Sequence, residues 1–239
     1  DGQSGGPKHQ GGFYEFRYDI RRLLRFGSRQ QLEVLVSKEA SNASVNGAEP
    51  AQAPPRTALH VVKPSKGVDL VAAERAAAAF LVALGVELDT ESLAATPARM
   101  ARAYAEMFSP RPFDLTTFPN DAGYDELIIA RAIPVQSVCE HHLLPFVGVA
   151  HVGYLPGERI LGLSKLARVV ELFARRPQVQ ERLTQQIADW LQDQLAPRGV
   201  GVVVEAEHLC MTLRGVRASG ANTVTSALHG QLRSDAASR

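Results

Sequence analysis

The chain has 239 residues, and its 26 Lys plus Arg against 25 Asp plus Glu leave a net charge of +1. That balance excludes the basic excess of a general nucleic-acid binder, and no run approaches the roughly 20 apolar residues of a membrane-spanning helix. Two cysteines, Cys139 and Cys210, are too few for a disulfide scaffold; with no apolar signal core near the start, they predict a reducing, cytoplasmic setting.

In chain order, residues 1–12 are Gly-rich and polar, and 13–26 form one short aromatic and basic stretch with helical amphipathicity. Residues 37–66 are rich in Ser, Ala, Asn and Pro without a sustained period, so 1–66 is predicted to be a disordered extension and linker. The ordered domain is expected to span 67–239. A helix is predicted from near Val68 to Gly85, and a second from Thr96-Pro97, with Thr96 as N-cap, to about Phe108. Strand-like stretches follow around 126–138 and 146–155, the second turning at Pro156-Gly157. Ser164 is expected to cap a helix over 165–175, and Pro177 to start another that runs to about Leu195. Two more strands, about 200–213 and 221–232, complete the set. Strand pairs flanking a helix pair predict an α+β fold with an antiparallel four-stranded sheet, β-β-α-α-β-β, preceded by N-terminal helices.

The densest chemistry is Cys139-Glu140-His141-His142, directly after a predicted strand. Cys139 and His142 have C-x-x-H spacing, which lets one turn offer a thiolate and an imidazole to one ion. The other cysteine also has a histidine beside it, in His208-Leu209-Cys210, where an extended backbone would point residues 208 and 210 to one face. Together they supply two sulfurs and up to three imidazoles, a soft set suited to zinc. Three protein ligands and an open position would make the site catalytic. A structural zinc would need a fourth ligand from His151 or His229, and a free cysteine is also a common buried apolar residue.

Ser164-Lys165-x-x-Arg168 opens a predicted helix, whose free N–H groups and two cations at i, i+3 suit a polyphosphate. A solvated basic helix start has the same appearance. Arg214 adds a cation four residues after Cys210. Gln180-Glu181 lies early in the next helix; a carboxylate accepts both N1–H and the exocyclic amine of guanine, although Glu in a first turn is also an ordinary dipole partner.

At these residues the sequence resembles GTP cyclohydrolase I. The resemblance is carried by SVCEHHLLPFVG (137–148), GLSKLARVVELFARRPQVQERLTQQI (162–187) and HLCMTLRGVR (208–217), with ATPARMARAYAEMF (95–108) and SGANTVTSALHG (219–230), and it covers roughly 68–232. It implies a tunnelling fold assembled as a homodecamer of two stacked pentamers, with active sites between subunits. It implies Zn2+ held by Cys139, His142 and Cys210, and acid–base roles for His141 and His208. Gln180 and Glu181 would hold guanine; Ser164, Lys165, Arg168 and Arg214 would hold the triphosphate, with Arg99 and Arg102 reaching it from a neighbour. The implied reaction converts GTP to 7,8-dihydroneopterin triphosphate and formate, the first step of folate and pterin biosynthesis. The related nitrile reductase of queuosine synthesis lacks the paired Cys–His clusters found here.

Overall fold

The computed structural model describes residues 67–234. The extension and linker expected at 1–66 lie outside the described residues. The chain opens with a helix pair, α1 (Leu70–Ala83) and α2 (Thr96–Met107). Asp69 caps α1 by accepting from the Ala72 N–H at 2.9 Å, and Gly85, at φ +81°, ends it in a left-handed conformation open to glycine. Helix α2 begins one residue earlier than expected, with Ala95 at the N-cap position. Thr96 does not cap; its hydroxyl accepts instead from Arg99 Nη2 at 2.7 Å.

The remaining elements are β1 (Thr117–Pro119), β2 (Ile128–Cys139), β3 (Pro145–Leu155), β4 (Arg159–Leu161), α3 (Leu163–Ala174), β5 (Pro177–Gln178), α4 (Gln180–Leu195), β6 (Gly199–His208), α5 (Leu209–Thr212), β7 (Asn222–Gly230) and α6 (Gln231–Ser234). Strands β1 and β4 form a small ribbon, and the main sheet has the order β5-β2-β3-β6-β7. Its four long strands are antiparallel, as the sequence predicts. The fifth was not anticipated: Pro177 does not start a helix but pairs, with Gln178, in parallel to Val138 and Cys139.

The core lies between one face of this sheet and helices α3 and α4. Val200, Val202, Val204 and Ala206 alternate along β6 into the core, while Leu166, Val169 and Val170 on α3 and Leu183, Ile187 and Leu191 on α4 recur at helical spacing. Each buried Val, Leu or Ile among them contributes about 1.5–3 kcal/mol relative to exposure. Tyr154 of β3 is fully buried, and its hydroxyl accepts from the Leu161 N–H at 2.9 Å. With Leu161 fixed there, the chain turns at Gly162 and α3 starts at Leu163, so Ser164 is inside the helix rather than its cap.

The close seating of β3 on β6 generates a stability prediction. A Cβ on Gly148 would lie 1.9 Å from the Glu205 carbonyl oxygen and 2.6 Å from Ala206 Cα. Because both neighbours are backbone, Gly148→Ala should destabilise the fold by about 3 kcal/mol, at the upper end of overpacking costs. The check is a lower urea midpoint than wild type.

Candidate metal and catalytic site

Strand β2 delivers Cys139 to one end of the sheet, where the chain reverses into β3. The Leu143 N–H donates to the Cys139 carbonyl at 2.8 Å, and the Cys139 N–H to that of Leu144 at 2.9 Å. Leu143 sits at φ +53°, a left-handed conformation that costs a non-glycine residue about 1–2 kcal/mol. Tyr104 of α2 donates its hydroxyl to the Leu143 carbonyl at 3.0 Å. This turn holds both histidines near the thiol: Nδ1 of His141 and of His142 lie 3.9 and 3.7 Å from Cys139 Sγ. Glu140, between them and the sheet, pairs with Arg182 of α4, which also donates from Nε to Gln178 Oε1 at 3.0 Å.

The second half of the site comes from β6. His208 pairs with Phe146 across the sheet, and the two rings stack with centroids 4.5 Å apart and planes 10° from parallel. The strand ends at His208, so Cys210 is not in extended backbone as expected but in the single turn α5. Coiling shortens the rise from about 3.3 to 1.5 Å per residue, drawing Cys210 back toward Cys139. Ligand atoms of Cys139, His208 and Cys210 all lie within 4.8 Å of one another, and both thiols are buried. Burial pushes the Cys210 thiol up, and the adjacent Cys139 sulfur adds to this, while Arg214 opposes it. Two neighbouring buried thiols, with imidazoles around them, form a donor set that a soft-to-borderline dication would satisfy. His151 and His229 cannot complete it as a four-ligand structural site. They pair with Val203 and Val200, toward the far end of β6.

Three of the remaining sequence candidates also gather here. Gln180, first residue of α4, is buried, and its Oε1 lies 2.7 Å from His208 Nε2. Its side chain is turned into the protein, a placement that no signal in the sequence marks. Glu181 is exposed on the next position, and its charge favours the protonated form of His208, against the larger effect of burial, which holds that imidazole below its usual range. Arg214 is near enough to act on Cys210.

The other cations are elsewhere in the chain. Ser137 donates its hydroxyl to the Ala174 carbonyl at 2.7 Å, so the C-terminal end of α3 adjoins the cysteine end of β2. Ser164 and Lys165 lie about 15 Å away along that helix. Lys165 sits 5.9 Å over the Phe113 ring, and Arg168 lies 3.5 Å from Glu171. Arg99 donates to the Ser92 carbonyl at 2.9 Å and to Thr96, and Arg102 is exposed on the same helix.

An α+β sheet that brings two buried thiols and three imidazoles to one end, beside a carboxylate at a helix start, has the equipment of a hydrolytic metalloenzyme. The comparisons with known proteins make the class specific. The profile of the family described as GTP cyclohydrolase I matches residues 73–239. GTP cyclohydrolase 1 of Thermobifida fusca is 56% identical over 172 residues, which cover 70% of this chain and 83% of that one. The protein of the same name from Mycobacteroides abscessus is 56% identical over 191 residues, 77% of this chain and 94% of its own. This chain belongs to the GTP cyclohydrolase I family of enzymes.

Glu171 generates a pH prediction. The Arg111 guanidinium bonds it through Nε and Nη2, both at 2.7 Å, and holds its carboxyl below the usual range, with Arg175 and Arg168 adding to the effect against burial. A depressed carboxylate contributes stability above its unfolded pKa and loses it as pH falls through the folded value. Arg111→Ala should therefore lower the urea midpoint modestly at neutral pH. In acid below Glu171's depressed value, mutant and wild type should converge.

Proposed function

We propose that this enzyme converts GTP to 7,8-dihydroneopterin triphosphate and formate with zinc held by Cys139, His142 and Cys210, as the first step of pterin and folate biosynthesis in the cytoplasm. The observation that carries this reading is the Cys139–His208–Cys210 cluster, its two thiols buried, with Nδ1 of His142 3.7 Å from the Cys139 sulfur. Among the described residues no helix is long and apolar enough to cross a membrane. Residues 67–239 are the proposed catalytic unit, with 1–66 an extension.

Zinc bound there supplies Lewis acidity toward water. The protein's own residues do the rest. His141, with 63% of its side chain exposed, and His208, half-buried, are the two proton carriers, one delivering a proton to guanine N7 as the imidazole ring opens. Glu181 accepts from N1–H and the exocyclic amine, which selects guanine over adenine, and the buried Gln180 backs the base site from within the core. Ser164, Lys165, Arg168 and Arg214, with Arg99 and Arg102, bind the triphosphate and orient the base.

The active site is read as lying between copies of the chain. Within one chain, α3 separates the Ser164–Lys165 end from the cysteine cluster. The sheet ends in β7 on one side, and β5 covers only two residues of β2 on the other. Such edges suit pairing with neighbouring copies, and Val71, Phe80 and Val82 of α1 are more than half exposed. A tunnelling-fold decamer of two stacked pentamers would cover both. Lys165→Ala and Cys210→Ser should each be inactive alone, whereas mixed assemblies should regain activity in roughly a quarter of sites under random 1:1 mixing. Mixtures that stay inactive while co-assembling would place the whole site within one chain.

A specific observation favours a second ligand set, because His208 approaches both sulfurs. Zinc content separates the two. Cys210→Ser and His142→Ala should lose zinc and turnover together. His208→Ala should keep zinc while turnover falls about 10²–10⁴-fold. Zinc lost with His208 and kept without His142 would exchange their roles.

A further inference from the structure

Gln180 is 1% exposed, inside a core that is otherwise mostly apolar. Its Nε2 faces the Val204 carbonyl at 3.1 Å, the Thr223 carbonyl at 2.9 Å and Thr225 Oγ1 at 3.2 Å. Two of these partners are backbone carbonyls, which only accept, so the amide nitrogen must be the atom that faces them. Flipping the amide would set oxygen against oxygen in a buried site. Thr184 donates its hydroxyl to the Gln180 main-chain carbonyl at 2.8 Å, so the Thr225 hydroxyl, 2.6 Å away, donates to Thr184 and keeps a lone pair for the Gln180 amide nitrogen.

With the nitrogen committed to β6 and β7, the oxygen is what meets His208 Nε2 at 2.7 Å. An amide oxygen accepts only, so Nε2 must carry the hydrogen, and in the neutral ring Nδ1 then keeps the lone pair. Stacking on Phe146 fixes the plane of the ring, and this hydrogen bond fixes its rotation and proton position. We propose that Gln180 is a positioning residue that sets the tautomer of His208, holding the proton on Nε2 and leaving Nδ1 as the nitrogen with a free lone pair. The inference rests on the reading of His208 as a working group of the site. It gives Gln180 a task distinct from touching the base, and it extends the site to Thr184 and Thr225, which never reach it.

The test reads the tautomer directly. Full-length protein labelled with ¹⁵N-histidine is sedimented with and without zinc and observed by solid-state NMR, with His208 assigned by comparison with His208→Gln. Wild type should show His208 protonated at Nε2 and bare at Nδ1. The reverse tautomer in wild type would overturn the inference whatever the turnover. Gln180→Met removes the acceptor, and the preference for Nε2–H should disappear. With zinc content unchanged, kcat should fall about 10–100-fold, the usual cost of losing a partner that orients a histidine, while KM stays within about twofold. A Gln180→Met protein with unaltered tautomer would also overturn the inference. Absent GTP turnover in wild type with the expected tautomer would instead reject the proposed reaction and leave the positioning role standing.

Discussion

The register of β3 against β6 places Phe146 opposite His208 and Gly148 opposite Ala206. Side chains alternate faces along a strand, so a slip of one residue would turn His208 away from Phe146 and Cys139 together. Gly148 lets the backbones approach where any side chain would collide with Glu205 and Ala206. Val200, Val202 and Val204 then lock the same register from the core side. The pairing of β2 with β3 brings Cys139 to the same end. The site thus inherits its geometry from the most apolar part of the molecule.

Polar burial is concentrated at that end. Four polar residues stand out as buried among the described ones: Ser137, Gln178, Gln180 and Thr184. Ser137 ties β2 to the end of α3, Gln178 pairs beside Cys139 and reaches Arg182, and Gln180 with Thr184 supports His208. A buried polar group is costly unless satisfied, and each of these has hydrogen-bond partners. Apolar residues of similar volume would hold the helices to the sheet without fixing any direction. The network supplies direction, which chemistry at a histidine requires.

Much of this was legible beforehand, because the long elements carry their own periodicity. The helix pair at the start, the four long strands and the helices over 163–195 follow from apolar spacing, Gly85 and the proline turns. The discrepancies have tertiary causes. Ser164 looked like a cap, but Tyr154 anchors Leu161 and moves the helix start forward. Pro177 looked like a first helical residue, but the edge of β2 offered it a strand partner. The strand expected to run past Cys210 stops at His208, where the chain coils. The clustered cysteines and histidines were marked by their spacing. Gln180's inward turn was not, because its partners are backbone carbonyls of strands 24 and 43 residues further along, which no local pattern encodes.

Tyr104 is the remaining detail with reach beyond its neighbourhood. It belongs to the peripheral helix pair, yet its hydroxyl holds the carbonyl of Leu143, a residue kept in an unfavourable backbone state between the paired histidines and β3. The turn that carries both histidines is therefore tied to α2 as well as closed on itself. A helix that lends no sulfur or imidazole to the cluster still shares in fixing where the two rings stand.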